Sequence, residues 1–220
     1  MTVNHQQSSP GTPRTPGLGS ALAEFDTATV HEAQGRRGAL PSAIKPVDPG
    51  FRLCGPAFAV VCPGGDNLWI HRALYAAAPG DVLVVSTGGW TEAGYWGEIL
   101  SHAAAARRLG GLVIDGGVRD ADRIAAVGFP VFSAGLCIRG TTKDPEGSGA
   151  LGIPLHFGDT AVHPGDVVLG DRDGVVVVPA LDVAWMVEAS QRRVAAEAEV
   201  IRRLQAGEST LSIYDLPREC

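Results

Sequence analysis

The sequence predicts a layered α/β sandwich, and three observations carry that prediction. Apolar strand-like runs alternate with helical stretches through the first two-thirds of the chain, whereas residues 153–178 hold short strands and turns alone. Val82 to Ser86 is an unbroken apolar run, as expected of a strand covered on both faces. The 29 glycines fall at tight junctions between apolar runs, which favours many short elements joined by sharp turns. At 220 residues and 45% apolar, the chain is long enough for one full-sized domain and short for two.

The elements follow in order. Residues 1–19 are rich in Ser, Thr, Pro, Gly and Gln and cannot bury enough surface to offset their ordering, so a flexible tail is predicted there. A single domain then occupies 20–220, with structure beginning near Ala21. Leu22, Phe25, Thr29 and Val30 have helical spacing that ends at Gly35. Arg52 to Cys62 alternates like a strand, with Gly55-Pro56 marking an edge or bend. Asp66 is placed to cap a helix reaching about Ala78 that buries Leu68, Ala73 and Leu74. Glu98 to Leu109 reads as a helix with Ile99, Leu100, Ala103 and Ala106 on one apolar stripe. Leu112 to Asp115 is a short strand, and Gly116-Gly117 is expected to turn the chain into Val118-Arg119-Asp120. A brief helix through Ile124 and Val127, a strand at Val131–Ala134 and a last helix over 181–206 complete the pattern. Pro79-Gly80-Asp81 and Pro164-Gly165-Asp166 are an internal echo: each should build a turn whose carboxylate bonds nearby amides before a buried strand.

Bulk chemistry removes several function classes. A net charge of −6 with no basic run argues against a nucleic-acid surface. No apolar run is long enough for a membrane span and no signal-peptide core is visible, so a cytoplasmic protein is expected. The cysteines, Cys54, Cys62, Cys137 and Cys220, form neither a CxxC pair nor a zinc-ligand spacing; the first three read as buried thiols. Ser133 lacks the Gly-x-Ser-x-Gly setting of a hydrolase nucleophile. Ile114-Asp115-Gly116-Gly117 is not a dinucleotide fingerprint. His102 and His156 read as structural, and Asp115 and Asp122 as turn or surface carboxylates. The two lysines, Lys45 and Lys143, sit in polar or Pro-flanked contexts unsuited to a Schiff base, so carbon–carbon cleavage would need a metal rather than an iminium.

The window Gly94 to Asp120 concentrates the chemistry. Two glycine-rich loops, 88–97 and 116–120, leave consecutive strands and are expected to lie side by side at their carboxyl ends. Gly97 opens a helix whose first amides, at Glu98, Ile99 and Leu100, lack intrahelical partners and suit a carboxylate. Arg119 brings a planar fork for a carboxylate or carbonyl oxygen, and Asp120 a hard oxygen ligand for magnesium or manganese. The bland alternatives stand beside these: Glu98 as a favourable first-turn charge and Asp120 as a helix cap.

Gly97-Glu98-Ile99-Leu100, followed twenty residues on by Arg119-Asp120, resembles the acidic-x20-Arg-Asp motif of the RraA-like family. The resemblance extends from about Ala21 to the C-terminus and includes Gly55-Pro56-Ala57, Pro63 to Asn67, Val113 to Gly116 and Asp171 to Val175. That family holds 4-hydroxy-4-methyl-2-oxoglutarate/4-carboxy-4-hydroxy-2-oxoadipate aldolases and the regulator of RNase E activity. The resemblance implies an α/β/β/α sandwich related to phosphohistidine swivelling domains, assembled as a homotrimer or as a hexamer of two trimers. It implies that residues 97–100 cradle pyruvate, Arg119 contacts it and Asp120 anchors a divalent cation, magnesium or manganese. Aldolase members often have Asp at the position of Glu98. Glu197 and the segment Ala206 to Tyr214 look like the aldolase branch, in which the acid matching Glu197 reaches a neighbouring subunit's site. The reaction implied is metal-dependent retro-aldol cleavage of a 4-hydroxy-2-oxo acid to pyruvate, with Glu98, Arg119 and Glu197 as catalytic residues and oxaloacetate decarboxylation as a side activity. The alternative is a regulator that binds and inhibits an RNA-degradation enzyme.

Overall fold

Four runs of branched apolar residues set the architecture. In the computed structural model, which describes residues 18–217, β2 (Leu53–Val61), β3 (Val82–Ser86), β4 (Gly111–Val118) and β5 (Val131–Leu136) lie parallel in the order β5-β4-β3-β2. Val82 to Val85 and Leu112 to Ile114 are wholly buried, so both sheet faces are covered. The short β1 (Lys45–Pro46) closes one edge antiparallel to β5. At the other edge β2 changes partner part-way along. Its residues Leu53 to Pro56 pair antiparallel with β9 (Val167–Asp171), and Ala57 to Val61 pair with β3. The change falls at Gly55-Pro56, where a Cβ on Gly55 would lie 2.5 Å from the Gly80 carbonyl oxygen. β10 (Gly174–Val178) forms a hairpin with β9, β6 (Ala150–Leu151) joins the far half of β2, and β7 (Leu155–Phe157) pairs with β8 (Thr160–Val162) as a separate ribbon.

Alternation along the β9–β10 hairpin separates two cores. Val168, Val175 and Val177 join the core of the parallel sheet, whereas Val167, Leu169, Val176 and Val178 pack with Leu22, Phe25, Val30, Val183 and Met186. Helices α2 (Thr27–Ala33) and α6 (Val183–Gln205) therefore cover the hairpin's outer face. The parallel strands follow one another in sequence order, so right-handed crossovers put α3 (Leu68–Ala76), α4 (Glu98–Ala106) and α5 (Ala121–Val127) together on the opposite face. There they bury Ile70, Leu74, Leu100, Ala104 and Ile124. The layers run α/β/β/α, as the resemblance implied.

Several local expectations are corrected. Of the tail predicted over 1–19, residues 1–17 lie outside the described residues, and its last two already belong to a short helix, α1 (Leu18–Ala21), which begins before the expected start near Ala21. The helix expected through Leu22 and Val30 is broken at Phe25-Asp26, which are extended. Partners distant in sequence cause the break: Arg52 donates to the Asp26 carboxylate and the Phe25 carbonyl, each at 2.9 Å. Asp66 falls one residue short of the cap position, yet its carboxylate still accepts from the Leu68 amide at 2.8 Å. On α4 the buried face is Leu100, Ser101 and Ala104, and Ile99 is 79% exposed. Ser101 turns this face inward because its hydroxyl accepts from the Trp96 indole and donates to the Gly97 carbonyl. Gly116-Gly117 does not end β4 but lies within it, beside a register shift between Ile114 and Gly117.

Other expectations hold. In the paired Pro-Gly-Asp turns, Asp81 and Asp166 each accept at 2.8 Å from the amide three residues back, Ala78 and His163. Cys54, Cys62 and Cys137 are thiols rather than disulfides as expected, but of the three Cys62 alone is fully buried, Cys54 and Cys137 being half-buried; burial pushes Cys54 and Cys62 up to about 11, and Cys220 lies outside the described residues. Among the described residues no helix is long and apolar enough to cross a membrane.

The junction between α2 and β9 allows a stability test. Burial pushes the Asp171 carboxyl up, but bonds from the Thr27 amide and hydroxyl and the Asp173 amide, with the charge of Arg52, outweigh it and hold the group below 3.8. A depressed native value means that the stabilisation is complete above the ordinary value and is lost as pH falls through the native one. Asp171→Asn is therefore expected to cost roughly 1.5–3 kcal/mol at neutral pH, as for hydrogen bonds to a charged group. Thermal melts across the acid range should show a flatter decline than the parent chain, and parallel curves would remove this role.

Candidate active site

β3 and β4 are parallel neighbours, so the loops leaving their carboxyl ends emerge together. Backbone bonds lace them: the Tyr95 amide donates to the Gly117 carbonyl and the Arg119 amide to the Trp96 carbonyl, both at 2.9 Å. The β3–α4 loop then delivers Gly97 to the N-cap of α4. Its φ of −162° is open to any residue, so space rather than strain demands glycine. A Cβ there would stand 2.4 Å from Oδ2 of Asp120.

Asp120 occupies the N-cap position of α5 in a left-handed conformation, φ 60° and ψ 39°. Its carboxylate makes no cap bond to α5. Oδ2 instead accepts from the Glu98 amide at 3.3 Å and lies 3.7 Å from Nε of Arg119. Oδ1 has no hydrogen-bond partner among the described residues. A left-handed aspartate costs of the order of 1 kcal/mol, and no cap bond offsets it. This geometry disfavours the simple capping reading.

The structure brings Gly97, Glu98, Arg119 and Asp120 together. Arg119 and Asp120 line an open cleft of about 310 Å³, bounded also by Ala121, Leu136, Cys137 and Ile138. The Leu100 side chain is buried and Ile99 faces solvent, so these two can offer a ligand their backbone amides, which lie in the first turn of α4. Glu197 lies elsewhere within the chain. Arg193 donates to it at 2.6 Å, and it lines a second cleft with Glu32, Arg52 and Asp171 at the amino end of β2. The Arg119 cleft is at the carboxyl end of the parallel β4, the opposite end of the sheet.

Asp120 fits a divalent cation. It is a hard oxygen donor with one unpartnered oxygen at an open cleft, and magnesium commonly keeps several waters beside one or two carboxylates. Among the described residues no group of three or more His, Cys, Asp or Glu side chains could cage a metal. A cation here would draw its other ligands from water and substrate.

Two supporting residues escaped sequence reasoning. The Asp115 carboxylate accepts from the Thr87 amide at 2.5 Å, the Thr87 hydroxyl at 2.8 Å, the Gly89 amide at 3.0 Å and the Ser86 hydroxyl at 3.2 Å. The Asn67 side-chain amide donates to the Tyr95 carbonyl at 2.9 Å. The sole sequence signal was the donor-rich Ser86-Thr87-Gly88-Gly89 after a buried strand, which needed an acceptor that the sequence does not locate.

A four-layer α/β protein whose parallel strands end in a cleft lined by one arginine and one open carboxylate, the carboxylate lying against the first turn of α4, is thus defined. The chain belongs to the RraA-like family, described as Aldolase/RraA, whose model matches residues 27–177. A relative from Halalkalibacterium halodurans, provisionally named as a 4-hydroxy-4-methyl-2-oxoglutarate aldolase, is 36% identical over 64% of this chain and 66% of its own length. The chain thus spans just under two thirds of that relative. Streptomyces coelicolor RraAS2, titled an unusual member of the RNase ES inhibitor RraA protein family, superposes with a TM-score of 0.74 at 27% identity, covering 87% of this chain and all of that one. The RNA-processing inhibitor RraA from Thermus thermophilis gives 0.64 at 26% identity, covering 70% of this chain and 93% of its own.

Proposed function

We propose that the chain is a divalent-metal-dependent aldolase that cleaves a 4-hydroxy-2-oxo acid to pyruvate, with a substrate of the 4-hydroxy-4-methyl-2-oxoglutarate or 4-carboxy-4-hydroxy-2-oxoadipate type. The observation that carries the reading is the open Asp120 carboxylate, beside Arg119 and against the first turn of α4. The amides of Ile99 and Leu100 would take the substrate carboxylate, where the positive end of the helix dipole favours an anion. Glu98, directly or through water, would remove the C4 hydroxyl proton. The C3–C4 bond then breaks, its electron pair passes to the C2 oxygen as the pyruvate enolate, and the C4 fragment leaves as a carbonyl compound. Arg119 would hold the developing enolate charge, and water would protonate C3. Magnesium or manganese held by Asp120 would supply Lewis-acid stabilisation to the oxygens of the 2-oxo acid. Oxaloacetate decarboxylation passes through the same enolate and is the expected side reaction.

An RNA-degradation inhibitor would share this fold, as the two RraA structures do. A pyruvate-release assay with magnesium over a panel of 4-hydroxy-2-oxo acids separates the two. Metal-dependent turnover supports the enzyme, and no release from any member would defeat it.

Assembly is part of the reading. Ile99, Leu136 and Ile138 are 79%, 66% and 90% exposed near the cleft, and Val194 and Ile201 stand exposed on the second half of α6. Such apolar area is expected to be covered by a partner. A homotrimer or hexamer would let Glu197 of the partner subunit reach the cleft that its own chain leaves distant. Light scattering should return three or six copies, and a fully active monomer would remove Glu197 from the site.

A further inference from the structure

We infer that Asp115 is a positioning residue: its carboxylate ties the β3–α4 loop to β4 and thereby sets the α4 amides at their distance from Arg119. The loop from Thr87 to Gly97 contains no helix or strand, so its course depends on what holds it. β4 holds it at both ends. At the start, all four bonds to Asp115 come from Ser86, Thr87 and Gly89. At the finish, the backbone of Gly117 and Arg119 bonds to Tyr95 and Trp96. Asp115 and Arg119 therefore belong to one stretch of chain, and the loop that carries the anion cradle is measured off against it.

The geometry of β4 is adapted to this task. Its pairing with β3 runs in regular register to Val85 and Ile114, which sets Asp115 beside Ser86 and Thr87, while its register against β5 shifts between Ile114 and Gly117. The adjacent glycines let the loop lie directly on the strand. A Cβ on Gly116 would come within 2.8 Å of the Tyr95 ring, and one on Gly117 within 2.5 Å of the Thr91 carbonyl oxygen. Asp115 is a positioning group rather than a base. Each carboxylate oxygen already accepts two bonds, Oδ1 from Thr87 twice and Oδ2 from Ser86 and Gly89, which fills the acceptor sites of an ionised carboxylate. Such charge-assisted bonds are about twice as strong as neutral ones, so this one side chain dominates the order of the loop's start.

The kinetic consequence rests on the aldolase reading above. The α4 amides grip the carboxylate equally in ground and transition states, so loosening them removes uniform binding. Asp115→Ala is expected to raise KM roughly tenfold or more while kcat stays within a few-fold, because Arg119 and Asp120 keep their own place between β4 and α5. Asp115→Asn retains one acceptor oxygen and should recover part of the loss. Hydrogen exchange should quicken at Thr87 and Gly89 but not at Val82 to Val85. Titration calorimetry with pyruvate itself should show the same loss of affinity. A fall in kcat at unchanged KM would reflect less folded enzyme and overturn the inference, as would unchanged exchange or unchanged pyruvate affinity. If the parent chain binds pyruvate but cleaves no substrate, the aldolase reading fails while the affinity and exchange measurements still decide the role of Asp115. If the parent chain binds no pyruvate, both fail.

Discussion

Asp120→Ala is expected to bring pyruvate release down to background while the protein stays folded. Among the described residues the carboxylate has only the long bond from the Glu98 amide and the loose approach of Arg119, so little of the fold depends on it. Alanine does strain a backbone at φ 60°, and a stability loss of about 1 kcal/mol is anticipated from that alone. Asp120→Asn is the cleaner variant. It tolerates the left-handed conformation and can still accept from Glu98, but it lacks the charge that would hold a divalent cation. A chelator should inactivate the parent chain to the same level, and magnesium or manganese should restore the parent but not Asp120→Asn. Gly97→Ala should approach the same result from the other side, because its methyl group would need the space of Asp120 Oδ2. Full activity after thorough chelation would sink the cation's role, and full activity in Asp120→Asn would move the site away from this residue.

The second large effect is expected at Arg119. If its guanidinium meets the oxygen on which enolate charge develops, its contribution is larger in the transition state than in substrate binding. Arg119→Lys keeps the charge and loses the planar fork, and kcat should fall by roughly a hundredfold or more, as for the loss of one oxyanion donor. The fall should be equal for aldol cleavage and for oxaloacetate decarboxylation, which share the enolate. Glu98→Gln makes the contrast. Decarboxylation has no C4 hydroxyl proton, so this variant should impair cleavage far more than decarboxylation. Equal losses in Glu98→Gln would make that residue structural and leave the base to Glu197 of the partner subunit.

How much was legible in advance varied from element to element. Val82 to Ser86 announced itself as a buried strand, because an uninterrupted branched apolar run has few other stable placements, and Leu112 to Asp115 and Val131 to Ala134 were legible as short strands between turns. The Pro-Gly-Asp turns at Asp81 and Asp166 were equally plain, since the carboxylate and the amide that it binds are three residues apart. Gly97, Glu98, Arg119 and Asp120 could be picked out because they stand at strand and helix ends, and parallel neighbours must bring such ends together.

Tertiary structure decided what depends on partners far apart in the chain. The break at Phe25-Asp26 needed Arg52 and Asp171; the rotation of α4 that exposes Ile99 needed Ser101 to meet Trp96. Asp120 could have been a cap or a ligand, and only the direction of its carboxylate, away from α5 and toward Glu98, favours the second. Asp115 passed for a turn or surface residue until the parallel pairing of β3 with β4, which sets Val85 against Ile114, brought it under the Thr87 and Gly89 amides. The sequence by itself determined the layered α/β class, most of the strands and helices and the window of chemistry, because apolar periodicity and turn chemistry act over a few residues. Which oxygen meets which amide across that window was left to the packed sheet, since a hydrogen bond between loops depends on register, and register is a property of the whole assembly of strands.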